Sequence, residues 1–315
     1  MDASSIHWDM NAYETDPALD AVRAAILNLD PVGLRTGQVL RNSMDQIYDG
    51  QKTGRYRWNQ LCKTERLHFG RLFEINLHRE FQFQDGVDLD YRIAGFDVDC
   101  KYSQTLNAWM IPPEAREKLC LLVWAEDQTS QWRMGLVRAR AEHLNTGGNR
   151  DQKSTLNAAG REAITWIFPN QPLSPNVLLQ LDRAIVDKIM GMQSGQNRVN
   201  ELFRNTLGMR VGRGVVATVA QQNDYMKRVR GNGGARTALQ SEGIIILGQY
   251  RSHRSIAQAL GENELGPGES IPLRIVPAKG KGRGAVAIGS GFWRVAKKSD
   301  PVVPAPRLPS ISPGV

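Results

Sequence analysis

Apolar residues recur at three- and four-residue intervals through ALDAVRAAILNL, and the Asp16-Pro17 pair before it offers a capping carboxylate followed by proline in the first turn. A helix is predicted from there to Asp30-Pro31. The stretch LRTGQVLRNSMDQIY predicts a second helix that stops at Asp49-Gly50. KTERLHFGRLFEINLHREF predicts a third, with Leu67, Leu72, Ile75 and Leu77 among its apolar positions. Periodicity then shortens. DYRIAG, FDVDCKYS, LCLLVWAE and WRMGLVRA read as strands, and the unbroken apolar run from Leu119 to Trp124 suits a central strand covered on both faces. The first half is therefore expected to be α/β, an early helix layer with a mixed sheet.

The proline-bearing, uncharged FPNQPLSPN at 168–176 marks the expected linker. Beyond it VLLQLDRAIVDKIM and RVNELFRNTLG are amphipathic, GRGVVATVAQQNDYMKRVRGNGGARTAL reads as two short helices around a turn, and EGIIILGQY and IPLRIVPA read as strands. Helices followed by a small strand pair describe a winged helix-turn-helix. The final PVVPAPRLPSISPGV holds five prolines and reads as an extended or disordered tail. The expected organisation is thus 1–170, 171–300 and a proline-rich tail over 301–315.

Charge supports two parts. Residues 1–170 carry 20 Lys+Arg against 23 Asp+Glu, whereas residues 171–315 carry 20 against 9. An excess of positive charge confined to one half suggests a polyanionic partner, nucleic acid being the commonest. The three cysteines, Cys62, Cys100 and Cys120, form no Cys-x-x-Cys pair, so neither a disulfide framework nor structural zinc is indicated. With an acidic N-terminus and no apolar run long enough to cross a membrane, the expectation is a cytoplasmic protein without a membrane partner.

Candidate chemistry lies in DYRIAGFDVDCKYS. If residues 96–102 form a strand, Asp97, Asp99 and Lys101 share one face and Phe96, Val98, Cys100 and Tyr102 the other. A hairpin at Ala94-Gly95 then folds Asp90 back beside Asp99. Two carboxylates supply the hard oxygens that Mg²⁺ prefers, and an adjacent lysine positions or deprotonates an attacking water. The triplet fits the solvated face of an ordinary hairpin equally well. Glu74, on the third helix, joins the set if that helix packs on the hairpin. In the basic half, Lys227, Arg228, Arg230 and Arg236 surround Gly231, Gly233 and Gly234, so backbone and side chains both suit a phosphate. Asn232 and Gln221 are candidate base readers. Other motifs are weaker. Ile47-Tyr48-Asp49-Gly50 has isoleucine where a ligase-like Lys-x-Asp-Gly motif needs its nucleophile, and serves instead as a helix stop. The five histidines lack metal-ligand spacing, and the glycines of KGKGRGAVAIGSG fit a basic loop or hairpin rather than a phosphate loop.

YDGQKTGR, EINLHREFQF, the Asp90–Lys101 segment, AWMIPPE, RVNELFR, ATVAQQNDYMKRVRGNGGAR and EGIIILG together resemble the NaeI family of type IIE restriction endonucleases, in order and across both halves. The resemblance implies a homodimer with an N-terminal endonuclease domain of the PD-(D/E)xK fold and a C-terminal winged-helix domain. It implies Mg²⁺-dependent double-strand cleavage within GCCGGC, activated by a second copy of the site on the basic domain. Its matching residues are Glu74, Asp90, Asp99 and Lys101, the first three as metal ligands, with Lys227, Arg228, Arg230, Asn232 and Arg236 expected to meet DNA. A nicking or repair nuclease of the same fold, and a DNA-binding protein with an idle nuclease domain, remain the alternatives.

Overall fold

The computed structural model describes residues 16–147, 150–282 and 284–309. The acidic N-terminal stretch through residue 15 and the last six residues lie outside it. The three early helices form where the apolar spacing puts them: α1 (Pro17–Leu29), α2 (Leu34–Tyr48) and, after a one-turn α3 (Gly50–Thr53), α4 (Lys63–Phe81). Asp16 caps α1 by accepting from the Leu19 amide at 3.1 Å, and the same carboxylate pairs with Arg138 at 2.6 Å. Asp49 ends α2 in the left-handed region, as expected of an Asp-Gly stop. On α4 the expected apolar face is corrected. Leu67 and Ile75 are exposed, and Phe69, Leu72, Phe73, Leu77 and Phe81 form the buried stripe. Aromatics at 69, 73 and 81 fall on the i, i+4 spacing and outweigh the aliphatic positions.

Six strands follow, β1 (Gln84–Asp85), β2 (Tyr91–Ile93), β3 (Phe96–Ser103), β4 (Leu119–Glu126), β5 (Gln131–Arg138) and, beyond α5 (Ala158–Glu162), β6 (Thr165–Pro172). They form one sheet in chain order. β1, β2 and β3 pair antiparallel, whereas β3 and β4 pair parallel, so the sheet is mixed. The parallel pair needs a crossover, and Trp109, buried within it, donates its indole N–H to the Val123 carbonyl at 2.8 Å. β4 is buried along seven of its eight residues, the burial its apolar run predicts. The stretch expected as a linker is in part β6. Its prolines are tolerated because β6 is the outermost strand of the sheet and one of its edges needs no N–H donors.

Contacts divide the chain into two compact units. One comprises Met1–Thr36, Glu74–Trp124 and Arg133–Gln171; the other comprises Gly37–Phe73, Ala125–Trp132 and Pro172–Val315. In the first, Trp109, Ile111, Leu122, Val137 and Leu156 belong to one apolar core. The second holds α6 (Arg183–Gly191), α7 (Gly195–Asn205), β7 (Val211–Gly212), α8 (Arg213–Ala220), α9 (Ala235–Ala238), β8 (Ile244–Gly248), α10 (Arg251–Ala259), β9 (Glu269–Pro277) and a terminal hairpin of β10 (Ala285–Ile288) and β11 (Gly291–Val295). The expected single helix over VLLQLDRAIVDKIM is instead a short 3-10 turn and then α6, because Asp182 turns extended and restarts the helix. α10 was not anticipated from the sequence. α8, with its last six residues buried, lies at the centre of this unit against α3 and α7. β9 organises the second sheet, pairing with β7, β8 and β11. Over residues 301–309 the tail is extended and packed: Ala305 is buried, and its amide and carbonyl both bond Gln240 at 2.8 Å.

Candidate active site

Ala94 and Gly95 both take positive φ, 50° and 86°, the geometry of a two-residue turn whose twist matches the flanking strands. Glycine is at home in the second position and alanine is strained in the first. The turn fixes the register Ile93↔Phe96, Arg92↔Asp97 and Tyr91↔Val98. One step further along that register sets Asp90 opposite Asp99. The hairpin thus brings together residues nine apart in sequence, as the spacing required.

Lys101 Nζ lies 2.6 Å from Asp99 Oδ1 and 3.5 Å from Asp90 Oδ2. Asp90 Oδ2 also accepts the Cys100 amide at 2.7 Å, which locks the carboxylate to the strand rather than to solvent. The expected solvated polar face is not what forms. Val98, Asp99 and Cys100 are all buried, because the middle of β3 is covered on both faces. Asp99 is only 3 % exposed, and its Oδ2 makes no hydrogen bond. A buried carboxylate oxygen left without a donor is costly, and its persistence invites an explanation from function. Burial pushes the Asp99 carboxyl up to about 6 against the pull of Lys101. Burial disfavours the Lys101 ammonium, but Asp99 and Asp90 outweigh it and hold its proton more tightly than usual.

Glu74 stands on α4, whose backbone carbonyl at that residue accepts the Tyr91 hydroxyl at 2.8 Å. Its charge opposes ionisation of both Tyr91 and Cys100, so its carboxylate lies within electrostatic reach of the hairpin. Asp90, Asp99 and Lys101 are in direct contact; Glu74 is held beside them through Tyr91. Among the described residues, no three His, Cys, Asp or Glu side chains are closed into a metal-holding cluster. Even so, the hard oxygens of Asp90 and Asp99, one of them buried and unpartnered, suit a small divalent cation. Glu114, in the 3-10 turn Pro113–Ala115, adds its charge to the field on Asp99. Sequence reasoning missed it, since only the parallel β3–β4 crossover brings it near.

The basic cluster of the second unit sorts into two groups. Lys227 and Arg228 both pair with Asp224, at 3.4 and 3.3 Å, which offsets part of their charge. Arg230, Asn232 and Arg236 line a cavity of about 850 Å³ together with Arg41 and Arg213. Arg236 is held there by donating to the Ile246 carbonyl at 2.8 Å and by the Tyr250 ring, 5.9 Å away. Gln221, expected to read bases, ends α8 in the left-handed region. Arg41 and Arg213 escaped notice because neither lies within the glycine-rich segment.

A family model described as "Restriction endonuclease NaeI" matches residues 20–304. The Type II restriction enzyme NaeI of Lentzea aerocolonigenes is 48% identical over 304 residues, covering 94% of this chain and 96% of that protein.

Proposed function

Because the chain belongs to the NaeI restriction endonuclease family and is a type II site-specific deoxyribonuclease, we propose that Glu74, Asp90, Asp99 and Lys101 form its Mg²⁺-dependent hydrolytic site. The observation that carries the assignment is the buried, unpartnered Asp99 Oδ2 beside Asp90 and Lys101. Asp90 and Asp99 would hold the ion, with Glu74 binding or orienting it from α4. When bound, Mg²⁺ polarises the scissile phosphate and lowers the pKa of a coordinated water. Lys101 orients the attacking water and offsets charge in the transition state. Its ammonium, 2.6 Å from Asp99 and 3.5 Å from Asp90, stands beside the proposed ion as a donor and a charge. Asp90, fixed by the Cys100 amide, keeps its carboxylate aimed while DNA enters. In-line attack leaves a 5′-phosphate and a 3′-hydroxyl.

DNA is the partner of a restriction enzyme, and the finer proposal is that two duplexes bind. One meets the endonuclease domain over residues 1–170. The second, an activating copy of the site, binds the basic domain over 171–300. Support for a winged helix there comes from helices α6 to α9 followed by β8, β9 and a terminal hairpin. Support for DNA comes from the cavity lined by Arg213, Arg230, Asn232 and Arg236. Lys227 and Arg228, tied to Asp224, would contribute on its rim. A homodimer cutting within GCCGGC in the cytoplasm, as part of a restriction-modification pair, completes the proposal. No helix among the described residues is long and apolar enough to cross a membrane.

Plasmids with one or two GCCGGC sites, incubated in Mg²⁺ or EDTA and then sequenced at their ends, test all of this. Expected are double-strand ends within the site, in Mg²⁺ only, and faster with two sites. Single-strand nicks would favour the nicking alternative, and binding without cutting the idle one. Equal rates on both plasmids would remove the activating site.

A further inference from the structure

We propose that Tyr91 is a positioning residue of the nuclease site, its hydroxyl fixing the Glu74 turn of α4 to the hairpin that carries Asp90, Asp99 and Lys101. The inference rests on the nuclease assignment and deepens it. Tyr91 is 1 % exposed and begins β2, directly after Asp90. Its hydroxyl donates to the Glu74 carbonyl at 2.8 Å. On the other side of the hairpin the Cys100 amide donates to Asp90 Oδ2 at 2.7 Å. Two adjacent residues of the hairpin are therefore tied outward, Asp90 to β3 and Tyr91 to α4.

Packing fixes the ring itself. Phe83 lies 5.3 Å and His78 5.9 Å from it, between centroids. A buried tyrosine always seeks some partner for its hydroxyl. Here the partner is the carrier turn of one proposed metal ligand, and Tyr91 itself directly follows another. Groups behind the ligands set how closely carboxylates converge, and their loss characteristically weakens metal binding before it unfolds a protein.

The full-length Tyr91→Phe variant keeps the ring and removes only the hydroxyl. Cleavage rate against Mg²⁺ concentration, Mn²⁺ binding to the protein–DNA complex by electron paramagnetic resonance, and thermal melting are measured together. Expected are a Mg²⁺ midpoint raised about tenfold, Mn²⁺ affinity lowered by a similar factor, and a cutting rate recovered at high Mg²⁺. Phe83→Leu is the packing control: it should lower the melting temperature and leave the metal midpoint in place. An unchanged metal midpoint and Mn²⁺ affinity in Tyr91→Phe overturns the proposal. So does an equal midpoint shift in Phe83→Leu, which would make the effect one of general packing. If Asp99→Ala cuts at the wild-type rate, the nuclease assignment itself fails; if it is inactive while Tyr91→Phe is normal, only Tyr91 is wrongly placed.

Discussion

Each unit buries an aspartate against a cation, and the two are finished differently. Asp127, in the second unit, has both oxygens bonded: Arg41 reaches them at 2.5 and 3.4 Å, and Tyr48 and Asn176 complete Oδ2 at 3.0 and 3.4 Å. Asp99, in the first, meets Lys101 through Oδ1 and leaves Oδ2 with no donor. Arginine offers a planar fork that satisfies a carboxylate fully, whereas lysine offers a point charge. A saturated buried pair holds architecture in place. An unsaturated one leaves an oxygen open to a further ligand, as the proposed metal site requires.

The largest effect should come from Asp99 and Lys101. Changing either to Ala should cut the cleavage rate at least about a thousandfold. Binding of cognate DNA in Ca²⁺, followed by gel shift, should persist. Near-normal cutting by either variant would erase the contrast between the two aspartates.

Stability should reverse the ranking. Asp127→Ala removes the nearer of the two carboxylates on the buried Arg41 guanidinium and leaves it Asp45 alone, at 2.9 Å, so urea melts should show a loss of about 3 kcal/mol. Asp99→Asn, melted in EDTA, should cost less, because the support it removes from the Lys101 ammonium is offset by removal of a carboxylate that burial disfavours. The folded Asp99 carboxyl sits near 6, above its ordinary 3.8. Its ionisation therefore weakens the fold progressively as pH rises between those values, and fully above about 6. The asparagine variant should gain on the wild type over that window, and the difference should vanish below about pH 4. A loss as large as that of Asp127→Ala would mean that Asp99 is scaffold after all.

The smallest effect concerns His253, buried in the second unit, where its Nδ1 accepts the Gly248 amide at 3.2 Å. Burial, helped by Arg236, pulls it down from 6.5 to about 4. The unfolded chain then takes up the proton first, so stability is full above about 6.5 and falls as pH drops toward 4. Removing that histidine as His253→Gln should flatten this acid slope, by about 3 kcal/mol at most. An unaltered slope in chemical melts would show that other groups dominate it.

Much of this was legible from local pattern. The hairpin turn, the strand register and the pairing of Asp90 with Asp99 all follow from Ala94-Gly95 and a period of two. The burial of Asp99 was not, because alternation assigns it to a polar face and only tertiary cover on both sides of β3 overrides that. The Leu67 and Ile75 positions failed for a related reason, since spacing cannot say which of two apolar rows on α4 finds a neighbour. Arg41 and Asp127 are 86 residues apart, and neither carries a local signal of the other. Lys227 and Arg228 looked like free charge until Asp224, three and four residues before them, was seen to turn toward both.

The unit that holds the cavity is not one segment of the gene. Its core enlists Tyr56, and Arg41 and Asp127 lie within it, although all three are encoded well before Pro172. A fragment starting at residue 172 would lack the partners of Asn176, whose amide bonds the Tyr56 carbonyl at 2.7 Å. Exchange of the C-terminal half between relatives is therefore a transplant of an incomplete body. Recombinants that carry residues 37–73 and 125–132 along with it should express, and those joined only at 172 should not.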